Sequence, residues 1–139
     1  MTNQKYLLIV LISLLIPAIV ACSSGSSESS IYKDITAEQL KEMMDSEEDV
    51  MLVDVRTSEE YISGHIAGSV LHPVEDISDW AKELDQEQAV ILICRSGNRS
   101  SSAAQYLTEH GFTNVMNLVG GISAWPYGLV EDVQLSTAA

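Results

Sequence analysis

Positive charge is scarce in this chain. Seven lysines and arginines stand against 20 aspartates and glutamates, a formal charge of −13. A protein that neutralises phosphates needs a basic stripe, and the absence of one argues against a nucleic-acid partner. The acidity instead suits solubility and repulsion from anionic surfaces. Histidine is also sparse. His65, His72 and His110 do not fall at metal-ligand spacing. Nothing places a histidine base beside a cysteine, which argues against a protease-like Cys–His pair. Cysteine itself occurs only twice, as Cys22 and Cys94. The 139 residues suit one ordinary domain rather than two.

Long hydrophobic runs are lacking too, apart from one at the N-terminus. Tyr6 to Ala21 is apolar except for Ser13 and Pro17, with Lys5 just before it. The run falls short of the roughly 20 apolar residues that span a bilayer comfortably. Its length and small-residue ending are those of a secretory signal peptide, over residues 1–21. Ile19-Val20-Ala21-Cys22 resembles the bacterial lipobox, with Ile19 in place of the more usual Leu. That resemblance implies that Cys22 is lipidated and becomes the new N-terminus, with enough acyl chain for stable anchoring. Residues 22–30 then read as a lipidated cysteine and a Ser/Gly-rich tether. The expected location is the outside of the cytoplasmic membrane, lipid-anchored in a bacterial cell envelope and facing the periplasm or the outer side of the plasma membrane.

From residue 31 the pattern alternates between strand-like and helix-like. Thr36 and Gln39 make a capping box ahead of Leu40, Met43 and Met44, an apolar stripe expected to fill core. Val50 to Val55 and Ala89 to Ile93 are continuous apolar runs, as in strands covered on both faces. Ile31 to Ile35 and Asn114 to Leu118 are shorter strand candidates. Ile77, Trp80, Ala81 and Leu84 have helical spacing, as do Ala103, Tyr106, Leu107 and His110, the latter helix stopping at Gly111. Gly120-Gly121 turns the chain into a last helical turn, and residues 131–139 read as a loose tail. This order predicts an α/β domain over residues 31–130, with a mainly parallel sheet and helices on both faces.

The scarce positive charge gathers at one place. Cys94-Arg95-Ser96-Gly97-Asn98-Arg99-Ser100 follows the most apolar strand, and ligand sites in such sheets lie beyond the strands' carboxyl ends. Gly97 and Asn98 tolerate the backbone angles of a tight curl. Inward N–H groups, a helix N-terminus and two arginines all favour thiolate over thiol at Cys94. A cysteine that merely filled core would need none of them. If Cys22 carries lipid, Cys94 has no disulfide partner, so it reads as a reactive thiol.

Four stretches together resemble the rhodanese-like sulfurtransferases: Leu52 to Tyr61, Gly64 to Val70, Cys94 to Ser100, and Gly120 to Trp125. Ala67 and Ser69 depart from the usual Pro and Ala of the second stretch. The resemblance implies a five-stranded parallel sheet and a Cys94 persulfide, formed from thiosulfate or a related anion and discharged to cyanide or a thiol. Arg95, Ser96, Gly97, Asn98, Arg99 and Ser100 would bind the substrate. No cofactor or metal is implied. Asp54 and Arg56 end another strand and could reach the site, although an ion pair or loop anchor is the better reading. Glu59-Glu60 reads as a solvated helix start, and Trp80 and Trp125 as packing. Four residues separate Cys94 from Arg99; related phosphatases and arsenate reductases have one more. The alternative within the same chemistry is a membrane-tethered sulfur carrier that hands its persulfide to a partner protein.

Overall fold

The structure is a computed structural model that describes residues 32–131. The signal-peptide, Cys22-lipidation and linker readings, and all but the first residue of the expected tail, lie outside the described residues.

Five parallel strands form one sheet: β1 (Lys33–Ile35), β2 (Val50–Asp54), β3 (Val70–Leu71), β4 (Ala89–Ile93) and β5 (Val115–Leu118), in the order β1-β5-β4-β2-β3. The two long apolar runs are the neighbours β2 and β4, in register from Val50↔Ala89 to Asp54↔Ile93. Both edge strands are very short, which leaves little unpaired backbone for another chain to join.

Strand alternation divides β4 between two cores. Val90, Leu92 and then Cys94 face one way, against Ala103, Ala104 and Leu107 of α4 (Asn98–Glu109). Ile91 and Ile93 face the other, with Leu40 of α1 (Ala37–Asp45), Met116 and Leu118. A strand buried on both sides cannot alternate apolar with polar, which is why its sequence reads as an unbroken run. Met43 and Met44 pack against the second core, as expected of the apolar stripe.

Local signals place the helices. The Thr36 capping box forms, with the Gln39 N–H donating to Thr36 Oγ1 at 3.3 Å and the Thr36 N–H to Gln39 Oε1 at 2.9 Å. A second box, Thr57 with Glu60, opens α2 (Ser58–Ile62). The helical spacing of Ile77 to Leu84 yields only one turn of α-helix, α3 (Ile77–Trp80), set between 3-10 turns at Val74–Asp76 and Ala81–Glu83. Trp80 is held there by its indole N–H, which donates to the Pro73 carbonyl at 2.9 Å. Leu84 then turns to extended backbone and ends the helical run.

Candidate active site

β4 ends at Ile93 and α4 begins at Asn98, so Cys94 to Gly97 make the whole turn between them. Gly97 precedes the helix at φ +98°, in left-handed backbone. Asn98, expected to share that curl, is instead the first helical residue, and one left-handed position completes the turn. The loop rests on the Gly120-Gly121 segment. The Ile122 N–H donates to the Cys94 carbonyl at 2.9 Å, and the Ser123 N–H to the Arg95 carbonyl at 3.0 Å. A side chain at Gly121 would put its Cβ 2.2 Å from the Cys94 carbonyl oxygen. Glycine there is what lets the two loops lie together.

The thiol of Cys94 sits at the bottom of this turn, 1% exposed. The Gly97 N–H donates to Sγ at 3.0 Å, and Ser100 Oγ lies 3.3 Å from it. Burial pushes the thiol pKa up. The Ser100 hydroxyl and the N–H groups of Ser100, Ser96 and Gly97 outweigh that, and the net shift is downward. Arg95 and Ser96 are exposed at the rim, as is Asn98, whose carbonyl accepts from the Ser101 and Ser102 hydroxyls.

The two arginines do not play equal parts. Arg99 donates from both terminal nitrogens to Glu60, each at 2.7 Å. That pair pulls the Glu60 carboxyl down to about 2 and lifts Arg99 above its ordinary value. Glu60 is therefore no solvated helix start: it caps α2 and grips α4 at once. Arg95 alone among the loop cations has no carboxylate partner among the described residues.

Asp54 and Arg56 are both buried and paired. Arg56 Nη2 lies 2.7 Å from Asp54 Oδ2 and donates to the Gly64 carbonyl at 2.8 Å. The pair anchors Gly64 to the end of β2, and Arg56 also lines the hollow beside the Cys94 loop. His65 stacks on Tyr61 at 3.8 Å, with Nδ1 3.1 Å from the Tyr61 carbonyl oxygen. No metal-holding cluster of His, Cys, Asp or Glu occurs among the described residues. A hollow of about 290 Å³ lies beside the loop, lined by Arg56, Glu60, Arg95 and Ser123 among others. Two larger ones lie at the opposite, amino ends of the strands, far from the thiol.

A rhodanese-like domain profile matches residues 36–126. The chain belongs to that family. It is 36% identical over 103 residues to the thiosulfate sulfurtransferase GlpE of Pseudoalteromonas translucida, covering 74% of this chain and 97% of that one. It is 37% identical over 101 residues to the Bacillus subtilis protein named "Putative sulfur carrier protein YrkF", covering 73% of this chain but only 55% of YrkF. A rhodanese-like domain protein of Staphylococcus aureus superposes with a TM-score of 0.66 at 33% identity, over 71% of this chain and 97% of that one. The five-stranded parallel sheet with helices on both faces is thus the rhodanese-like fold.

Two roles in the site were not read from the sequence, those of Glu60 and Asn117. The pairing of Glu60 with Arg99 gave no signal, because the two lie 39 positions apart. Asn117 did give one: an amide inside the fully buried strand Val115–Leu118 must find partners. It has two. The Ser100 hydroxyl lies 2.6 Å from its Oδ1, and its Nδ2 donates to Asp34 Oδ1 at 2.8 Å.

Proposed function

We propose that Cys94 accepts and passes on sulfane sulfur, making this domain a sulfurtransferase. The observation that carries the reading is the Gly97 N–H at 3.0 Å from Sγ, one of several donors converging on a single sulfur position. Cys94 thiolate attacks the outer sulfur of thiosulfate. A new S–S bond forms, the donor's S–S bond breaks, and sulfite leaves with the electron pair. The anionic outer sulfur of the persulfide then lies among the loop N–H groups. Cyanide or a thiolate attacks it, takes the sulfur and releases Cys94 thiolate. This is two-step covalent catalysis, and Arg95 is the cation that draws the anionic donor.

The four-residue turn sets its N–H groups against the sulfur itself, which suits one sulfur atom better than a tetrahedral phosphate or arsenate. Similarity to GlpE supports an enzyme with small donors. Similarity to YrkF supports a second reading, a sulfur carrier that loads in the same way and unloads onto a partner protein. Thiosulfate:cyanide turnover with the Cys94→Ser protein as blank tests the first. Slow turnover that a protein acceptor accelerates would favour the second. Wild-type protein lacking both turnover and persulfide removes the two together.

We also propose that a lipid on Cys22 tethers the domain to the envelope, on the strength of the lipobox resemblance. Labelled palmitate should enter the wild type and not Cys22→Ala. Soluble secretion of the wild type would refute the tether.

A further inference from the structure

The Ser100 hydroxyl has one proton and three acceptors in reach. Asn117 Oδ1 lies at 2.6 Å, the Gly97 carbonyl oxygen at 3.1 Å and Cys94 Sγ at 3.3 Å. Ser100 and Asn117 are both buried, so water does not relieve the competition. The Asn117 amide cannot turn to resolve it. Its Nδ2 donates to Asp34 Oδ1, and the flipped amide would set a carbonyl against that carboxylate. Asp34 thereby fixes Asn117 as an acceptor toward Ser100.

The conflict depends on the state of Cys94. A thiol donates its own proton to Ser100 Oγ, and Ser100 donates to Asn117; every group is satisfied. A thiolate can only accept. Ser100 must then leave Asn117 Oδ1 bare and buried, or withhold its proton from sulfur. In a persulfide, on the reading above, the charge sits on the outer sulfur, and Ser100 can return to Asn117. We propose that Asp34 and Asn117 are positioning residues that aim the Ser100 proton away from Cys94, disfavouring the bare thiolate relative to the thiol and the sulfur-loaded form.

The other charged groups around the loop are Arg95, the Arg99–Glu60 pair, Glu75 beside Arg99, and the buried Asp54–Arg56 pair. Strand β5 and the Gly121–Ala124 turn carry no titratable side chain. All of these are unchanged in the variants that test the relay.

The experiment is a pH titration of the thiolate's ultraviolet absorbance on the full chain, with the Cys94→Ser protein subtracted. Asp34 is exposed, so its substitution leaves the core intact. Asp34→Ala frees the Asn117 amide to turn and donate to Ser100, whose proton then goes to sulfur. The midpoint should fall, giving several-fold more thiolate at a given pH, about the worth of one charge-assisted hydrogen bond. Asp34→Asn offers a donor as well as an acceptor, so it too lets the Asn117 amide turn, and the midpoint should fall in the same direction. In a Ser100→Ala background the Asp34→Ala shift should collapse. An undiminished shift without Ser100, or no shift at all, would overturn the relay. Persulfide formation from thiosulfate, scored separately by mass, decides the sulfurtransferase reading whichever way the titration falls.

Discussion

Glu60 and Arg99 meet in a two-pronged ion pair across the mouth of the Cys94 loop, with both N···O distances at 2.7 Å. Glu60 stands near the start of α2 and Arg99 in the first turn of α4. The pair ties the two helices together and neutralises one of the two cations that mark the loop in the sequence. Hydrogen-bond donors and one remaining arginine are left to favour an anion.

That asymmetry separates Arg95 from Arg99 in kinetics. Arg95→Ala should raise KM for thiosulfate several-fold, with the effect fading at high salt, because an exposed charge acts through a screened field. The change in kcat should be smaller. Steady-state kinetics at two ionic strengths check this.

Glu60 links stability to acid. Its carboxyl is lowered from about 4.5 to about 2, so its contribution is fully present above 4.5 and disappears as pH falls through 2. Wild type should therefore lose stability over that window beyond the loss seen in Glu60→Gln. At neutral pH the variant should be less stable by about 1 kcal/mol, the scale of a partly exposed pair that also serves a helix cap. Urea unfolding from pH 2 to pH 7 gives both numbers.

Gly121→Ala should damage the site without touching its chemistry. The new Cβ meets the Cys94 carbonyl oxygen at 2.2 Å and Arg95 backbone at 2.8 Å, at φ +53°. Neither neighbour is a flexible side-chain end. A loss of about 2–4 kcal/mol in stability, with a large fall in turnover, is expected from overpacking and left-handed strain together. Thermal unfolding and the cyanide assay measure the two effects.

Much of this was legible in the sequence, and the remainder has a physical pattern. β2 and β4 announce themselves because buried parallel strands are apolar throughout. The Cys94 loop stands out by charge in an acidic chain. β3 does not, because Val70–Leu71 is too short to show any period. The local capping boxes at Thr36 and Thr57 are spelled within four residues, whereas Glu60–Arg99 spans 39 positions and Asp34–Asn117 spans 83. Counting arginines overstated the loop's charge for that reason: a charge's partner is set by the fold, and the pairing that cancels Arg99 leaves no mark near Arg99 itself.

The central claim is that Cys94 carries sulfur. Intact mass of the protein after incubation with thiosulfate tests it most directly. A gain of about 32 Da on the peptide holding Cys94, absent in Cys94→Ser and reversed by cyanide, is the expected result for a nucleophilic cysteine that takes one sulfur atom. An unchanged mass in folded wild-type protein with a reduced thiol would contradict the account.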